Sequence, residues 1–187
     1  MNNKTKNMVG IGLLTAIVVV LQLLGGGIRF GIFSISLVLI PIVVGAALYG
    51  WQAGGWLGFA FGMTVLLNGD AAPFMAVNVL GTIATVLAKG TLCGIAAGLV
   101  YKLFSKNRWV AVVLAAVTCP VVNTGIFLLG CKLFFYDTIS AWGAAAGFAN
   151  AANYMFLGLA GTNFLVELGA NILLVPVIVR LIKIGQK

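Results

Sequence analysis

The residues best suited to chemistry lie in the stretch Asn163–Asn171, NFLVELGAN, within the last apolar run of the chain. Glu167 is the only glutamate, one of just 3 acidic residues in the sequence. Asn171 follows it by four positions and so shares its helical face, and Asn163 flanks it on the other side. A carboxylate inside an apolar helix is costly in a membrane and must face the protein interior or a cavity, with a partner. Lys89 is the candidate partner. Counted from the ends of their runs, Lys89 and Glu167 lie at depths of roughly 13 and 8 Å at the helical rise, within reach of a long lysine side chain. Two readings stay open: a buried ion pair that only fixes helix register, or a pair that contacts a small polar ligand.

Further amides stand at comparable depth. Asn78 precedes the fourth apolar run, Asn123 lies within the fifth, and Asn150, Asn153 and Tyr154 occupy a long segment before the last. An amide both donates and accepts hydrogen bonds, which suits a neutral or zwitterionic solute bearing hydroxyls and carbonyls. Singly, Asn123 and Asn171 are as well explained by bonding between helices; together the amides form a candidate site. Trp142, Phe74, Tyr136 and Phe148 can supply apolar walls, although anchoring at the membrane interface is the ordinary role of Trp and Tyr. Asp70, in NGDAAP, reads as a turn residue.

The elements that must position these groups are membrane helices. Hydrophobic residues make up 62% and charged residues 7% of the 187, against roughly 25% charged in a soluble domain. The expectation is one integral membrane domain over residues 1–187, an all-α bundle with no soluble catalytic unit. The net charge of +8 comes from residues scattered at the ends of apolar runs, a pattern of membrane topology rather than of nucleic-acid binding. The 3 cysteines are widely spaced and there are 0 histidines, so no metal or cofactor is expected. No hydrolase, protease or phosphate-binding motif is present, so neither catalysis nor ATP binding is expected of this chain. The basic start and apolar run of the N-terminus resemble a signal peptide, but the run is long enough to span and is kept as a helix.

Six spans fit, at about 8–24, 33–49, 54–67, 80–104, 110–129 and 162–184, with Pro41 and Pro176 inside the second and sixth. With both termini cytosolic, Lys4, Lys6, Lys102, Lys106, Arg108, Arg180, Lys183 and Lys187 fall inside, against Arg29 and Lys132 outside. Segments 25–32, 68–79 and 130–161 then face outward and suggest a binding mouth. The last of these, rich in Ala and Gly, is expected to be an interfacial helix or re-entrant segment lying over the bundle. Gly54, Gly58 and Gly62, then Gly90, Gly94 and Gly98, repeat at the spacing that lets helices approach closely. Gly12 and Ala16 give one such step in the first span, fit either for packing within the bundle or for docking another subunit.

The runs LIPIVVGAALYGWQAGGWLGFAFG, NVLGTIATVLAKGTLCGIAAGLVYKLF, CPVVNTGIFLLGCKLFFYDTI and NFLVELGANILLVPVIVRLIK, in that order, resemble the S components of energy-coupling factor (ECF) vitamin transporters over nearly the whole chain. The likeness is greatest to pantothenate-type members, carried by Asn78, Lys89, Asn123 and Thr124. Gly50-Trp51 departs from the Gly-Pro that family members more often show there, which weakens the subtype. The resemblance implies a high-affinity binding subunit of the bacterial plasma membrane that encloses a vitamin near its outer face. Pantothenate is favoured, with riboflavin, folate or a pyridoxine-like compound behind it. It also implies a transmembrane T component and two ATPases as partners, with the Gly12 and Ala16 face as the docking surface. A stand-alone channel or secondary carrier is the alternative from another class, and an assembly subunit without a cavity is a third. The expected substrate contacts are Asn78, Lys89, Asn123, Trp142, Asn150, Asn163, Glu167 and Asn171.

Overall fold

A computed structural model of the chain describes residues 3–25, 29–30, 33–34 and 37–185. The described residues are helical apart from a short antiparallel pairing of β1 (Arg29–Phe30) with β2 (Phe33–Ser34). The helices are α1 (Asn3–Gly25), α2 (Leu39–Tyr49), α3 (Trp51–Leu67), α4 (Ala72–Met75), α5 (Val79–Leu103), α6 (Arg108–Phe134), α7 (Tyr136–Ala145) and α8 (Ala151–Asn153). A π-helical stretch (Tyr154–Gly161) then leads into α9 (Thr162–Leu173) and α10 (Val175–Gly185). Four helical runs are long and apolar enough to cross a membrane: Lys4–Gly25, Val79–Leu103, Arg108–Phe134 and Ala151–Leu173. The chain is a multi-pass, all-helical membrane protein, as composition requires.

The hub of the bundle is α2, apolar on every side and buried for most of its length, the pattern of a helix surrounded by protein. It touches α1, α3, α5, α6, α9 and α10. Its start differs from the expected one: Phe33 and Ser34 belong to the β pairing, and the helix begins at Leu39. Pro41 therefore lies in the first turn, where backbone N–H groups have no helical partner, and introduces no kink. Pro120, by contrast, lies inside α6 and is buried there.

α3 and α5 make the closest approach in the molecule. A methyl built on Gly58 would strike the carbonyl oxygen of Gly90, and one on Gly90 would strike that of Gly58; Gly54 and Gly94 stand in the same reciprocal relation. Backbone meets backbone along this face, which any side chain would prise open. The glycine spacing of these two helices is thus used within the bundle. Gly12 differs: nothing lies within 4 Å of a methyl built there, and Gly12 and Ala16 are both exposed.

The last expected span is interrupted. α9 ends at Leu173 and α10 begins at Val175, because Pro176 lacks the N–H that would continue the ladder and its ring crowds the preceding turn. The long segment expected to lie over the bundle also resolves differently. Residues 130–134 extend α6, the short helices α7 and α8 follow, and the helical residues 154–161 run directly into α9.

The main core joins α2 to α3, α5, α6 and α10 through Leu39, Ile42, Leu57, Cys93, Val112, Ile178 and Ile182. A smaller aromatic core joins the end of α6 to α7 and α8 through Phe135, Ile139, Ala151 and Met155, with Phe74, Phe127 and Trp142 packed against it. The space between these two cores is where the polar groups gather.

Candidate functional site

A cavity of about 470 Å³ lies between the cores, within the range of about 300–1,000 Å³ usual for small-molecule sites. Its polar lining comes from Gln22 of α1, Asp70 before α4, Thr82, Thr85 and Lys89 of α5, Asn123 and Thr124 of α6, and Asn163 and Glu167 of α9. Phe61, Phe74, Phe127 and Phe135 supply aromatic walls.

The helices explain this convergence. Thr82, Thr85 and Lys89 recur at helical spacing on one face of α5, and Asn123, Phe127 and Cys131 do so on α6. Gly130 would place a methyl into Thr85, so its bare backbone lets α6 close against α5 beside the cavity. Asn163 and Glu167 share a face of α9, and Asn163 Nδ2 donates to Glu167 Oε1 at 3.3 Å. Behind them Asn171 Nδ2 donates to the backbone carbonyl of Glu167 at 2.8 Å.

Lys89 and Glu167 line the same cavity, but they form no hydrogen bond with each other. Lys89 Nζ lies over the rings of Phe61 and Phe127, 5.7 and 5.4 Å from their centroids, a cation–π arrangement. Glu167 Oε2 is buried without a hydrogen-bond partner. The expected direct pair is replaced by two opposite charges that face one space. The phenylalanines of α3 and α6 hold the ammonium on their side of the space.

Of the residues singled out from sequence, Lys89, Asn123, Asn163 and Glu167 come together at the cavity. Asn78 and Asn150 do not line it. Asn78 caps α5, its side-chain oxygen accepting from Gly81 N at 2.9 Å, and Asn150 caps α8 by accepting from Asn153 N at 2.8 Å. Asn171 is buried behind the wall. Trp142 stands one layer back, edge-on to Phe74 at 5.6 Å between centroids. The Arg29 side chain falls outside the described residues.

Sequence reasoning missed Gln22 and underrated Asp70. Asp70 does sit in a turn, after Gly69 at φ +84°, but its Oδ2 also accepts from Gln22 Nε2 at 2.7 Å and Asn68 Nδ2 at 2.8 Å. These bonds tie the end of α1 to the α3–α4 turn across one side of the cavity. A lone glutamine near the end of an otherwise apolar run was the available signal for Gln22.

No curated protein and no solved structure matches the chain. Within this bundle a lysine and a glutamate face one space large enough for a small molecule. In keeping with that, the model of the ECF transporter, substrate-specific component, matches residues 6–179; the chain belongs to that family, as the substrate-binding subunit of such a transporter.

Proposed function

We propose that the cavity between the two cores is the substrate site and that its substrate is a water-soluble vitamin taken up across a bacterial plasma membrane. The observation that carries this reading is the trio Lys89, Asn123 and Glu167, contributed by three different helices to one cavity. Burying such groups is expensive unless a ligand repays the cost. In this reading both termini are cytosolic, the chain crosses the membrane six times, and the cavity opens outward. Lys89, Asn123, Asn163 and Glu167 contact the vitamin, while Asn171 and Trp142 steady the wall behind them. The resemblance puts pantothenate first, with riboflavin, folate and pyridoxine-like compounds next.

Membership of the family supports uptake that works with a T component and two ATPases, and the chain has no phosphate-binding motif of its own. The face of α1 around Gly12 and Ala16 is the docking surface in this reading, supported by the exposure of both residues and the open space at Gly12 among the described residues. Titration calorimetry of the purified protein against a vitamin panel tests the first part: micromolar or tighter binding of one member is expected, and none for any member would sink it. Proteoliposomes test the second. Uptake without ATPases would instead make the chain a stand-alone carrier.

A further inference from the structure

The cavity wall holds unmatched acceptors. Glu167 is 4% exposed and Asn123 5% exposed, both line the space, and Glu167 Oε2 and Asn123 Oδ1 are buried without hydrogen-bond partners, as is the Thr85 hydroxyl, which can donate as well as accept. A carboxylate oxygen can only accept, and a buried acceptor left unmatched is costly. Asn163 satisfies Oε1 alone. Among the described residues the one cation on the cavity wall, Lys89, is turned onto Phe61 and Phe127 and leaves Oε2 unmet.

Resting on the reading of this cavity as the substrate site, we infer that the ligand carries a nitrogen donor, an amine or an amino-substituted ring, at the end that enters between α5, α6 and α9. Its N–H groups meet Glu167 Oε2 and Asn123 Oδ1, and a neighbouring acceptor on the ligand meets Lys89. The ligand thereby bridges the two charges that the protein keeps apart. An aromatic ring is accommodated by Phe127, Phe74 and Phe135, whose centroids stand 5.7 and 5.1 Å from one another across Phe74. A simple anion satisfies Lys89 but brings its charge against Glu167, and so loses more than it gains.

The test is calorimetry on the full chain with probes that differ at one substituent: pyridoxamine, pyridoxine and pyridoxic acid share a ring and carry an amine, an alcohol and a carboxylate. Thiamine and pantothenate serve as further amine-bearing and anionic probes. Pyridoxamine is expected to bind tighter than pyridoxic acid by about tenfold or more, the worth of one buried charge-assisted hydrogen bond. The comparison is made on unaltered protein and needs no variant to fold. In Glu167→Gln the preference should fall to about twofold or less. The inference is overturned if pantothenate or pyridoxic acid binds tightest, or if neither pyridoxamine nor thiamine binds. Tight pantothenate binding would overturn it while leaving the vitamin reading in place; silence from a whole vitamin panel would remove both.

Discussion

The two faces of α5 make opposite use of the same helix. Toward α3 it shows Gly90 and Gly94, and the helices touch through their backbones. Toward α6 and α9 it shows Thr82, Thr85 and Lys89, which line the cavity, while Thr85 also packs on the bare backbone of Gly130 where α6 closes against α5. Lipid gives helices no hydrophobic reason to associate, so the bundle must be held by close packing somewhere. The α3–α5 contact supplies much of it, and that leaves the opposite side of α5 able to carry polar groups such as Lys89. Stability and binding are separated by rotation around one helix axis.

That separation can be broken from either side. The largest effect is expected for Gly58→Val, whose branched side chain must enter the Gly90 carbonyl. Thermal unfolding in detergent should show a loss of about 3 kcal/mol or more, and the cavity should fail only because the fold does. Next is Phe74→Ala, which removes the ring shared by Phe127, Phe135 and Trp142. A loss of about 3 kcal/mol is expected, together with weaker ligand binding, because this side chain belongs to both the aromatic core and the cavity wall.

Asn78→Ala should cost about 1 kcal/mol through the lost cap and leave affinity unchanged in calorimetry. A fall in affinity larger than the fall in stability would return Asn78 to the binding site. The smallest effect on the isolated protein belongs to Gly12→Val. It meets nothing in the bundle, so unfolding should shift by less than about 0.5 kcal/mol. Its consequence should appear only in co-purification with the energising partners, which is expected to fail. A stability loss like that of Gly58→Val would show that α1 packs where we leave it open.

How much of this was legible beforehand follows from what a sequence records about a membrane helix. Depth is counted along the chain, so the levels of Lys89 and Glu167 and the glycine spacing of α3 and α5 could be read directly. Direction around the axis was harder. In soluble helices the polar side reveals it, but α5 and α6 are apolar on nearly every face, and nothing marked Phe61 and Phe127 as the rings that would draw Lys89 aside. Asn78 and Asn150 misled for a related reason: an amide beside an apolar run serves equally as a helix cap or as a ligand contact. Pro176 was seen to lie within the last run, but whether it would bend that run or end it depended on neighbours that the sequence does not display. That residues 154–161 would run straight into α9 was hidden by the glycines around that junction, which read as an interruption.

The break at Leu174 gives the site a mechanical character. α10 is fastened into the main core by Val175, Ile178, Val179 and Ile182, whereas α9 bears Leu165, Val166 and Leu173 on the outside. Backbone bonds from Leu174 N to Ala170 O and from Ile178 N to Leu174 O span the joint. At its other end α9 meets the wider π-helical turns. The rod that carries Glu167 therefore sits between two changes of helical geometry, with the anchored half of the bundle beyond one of them.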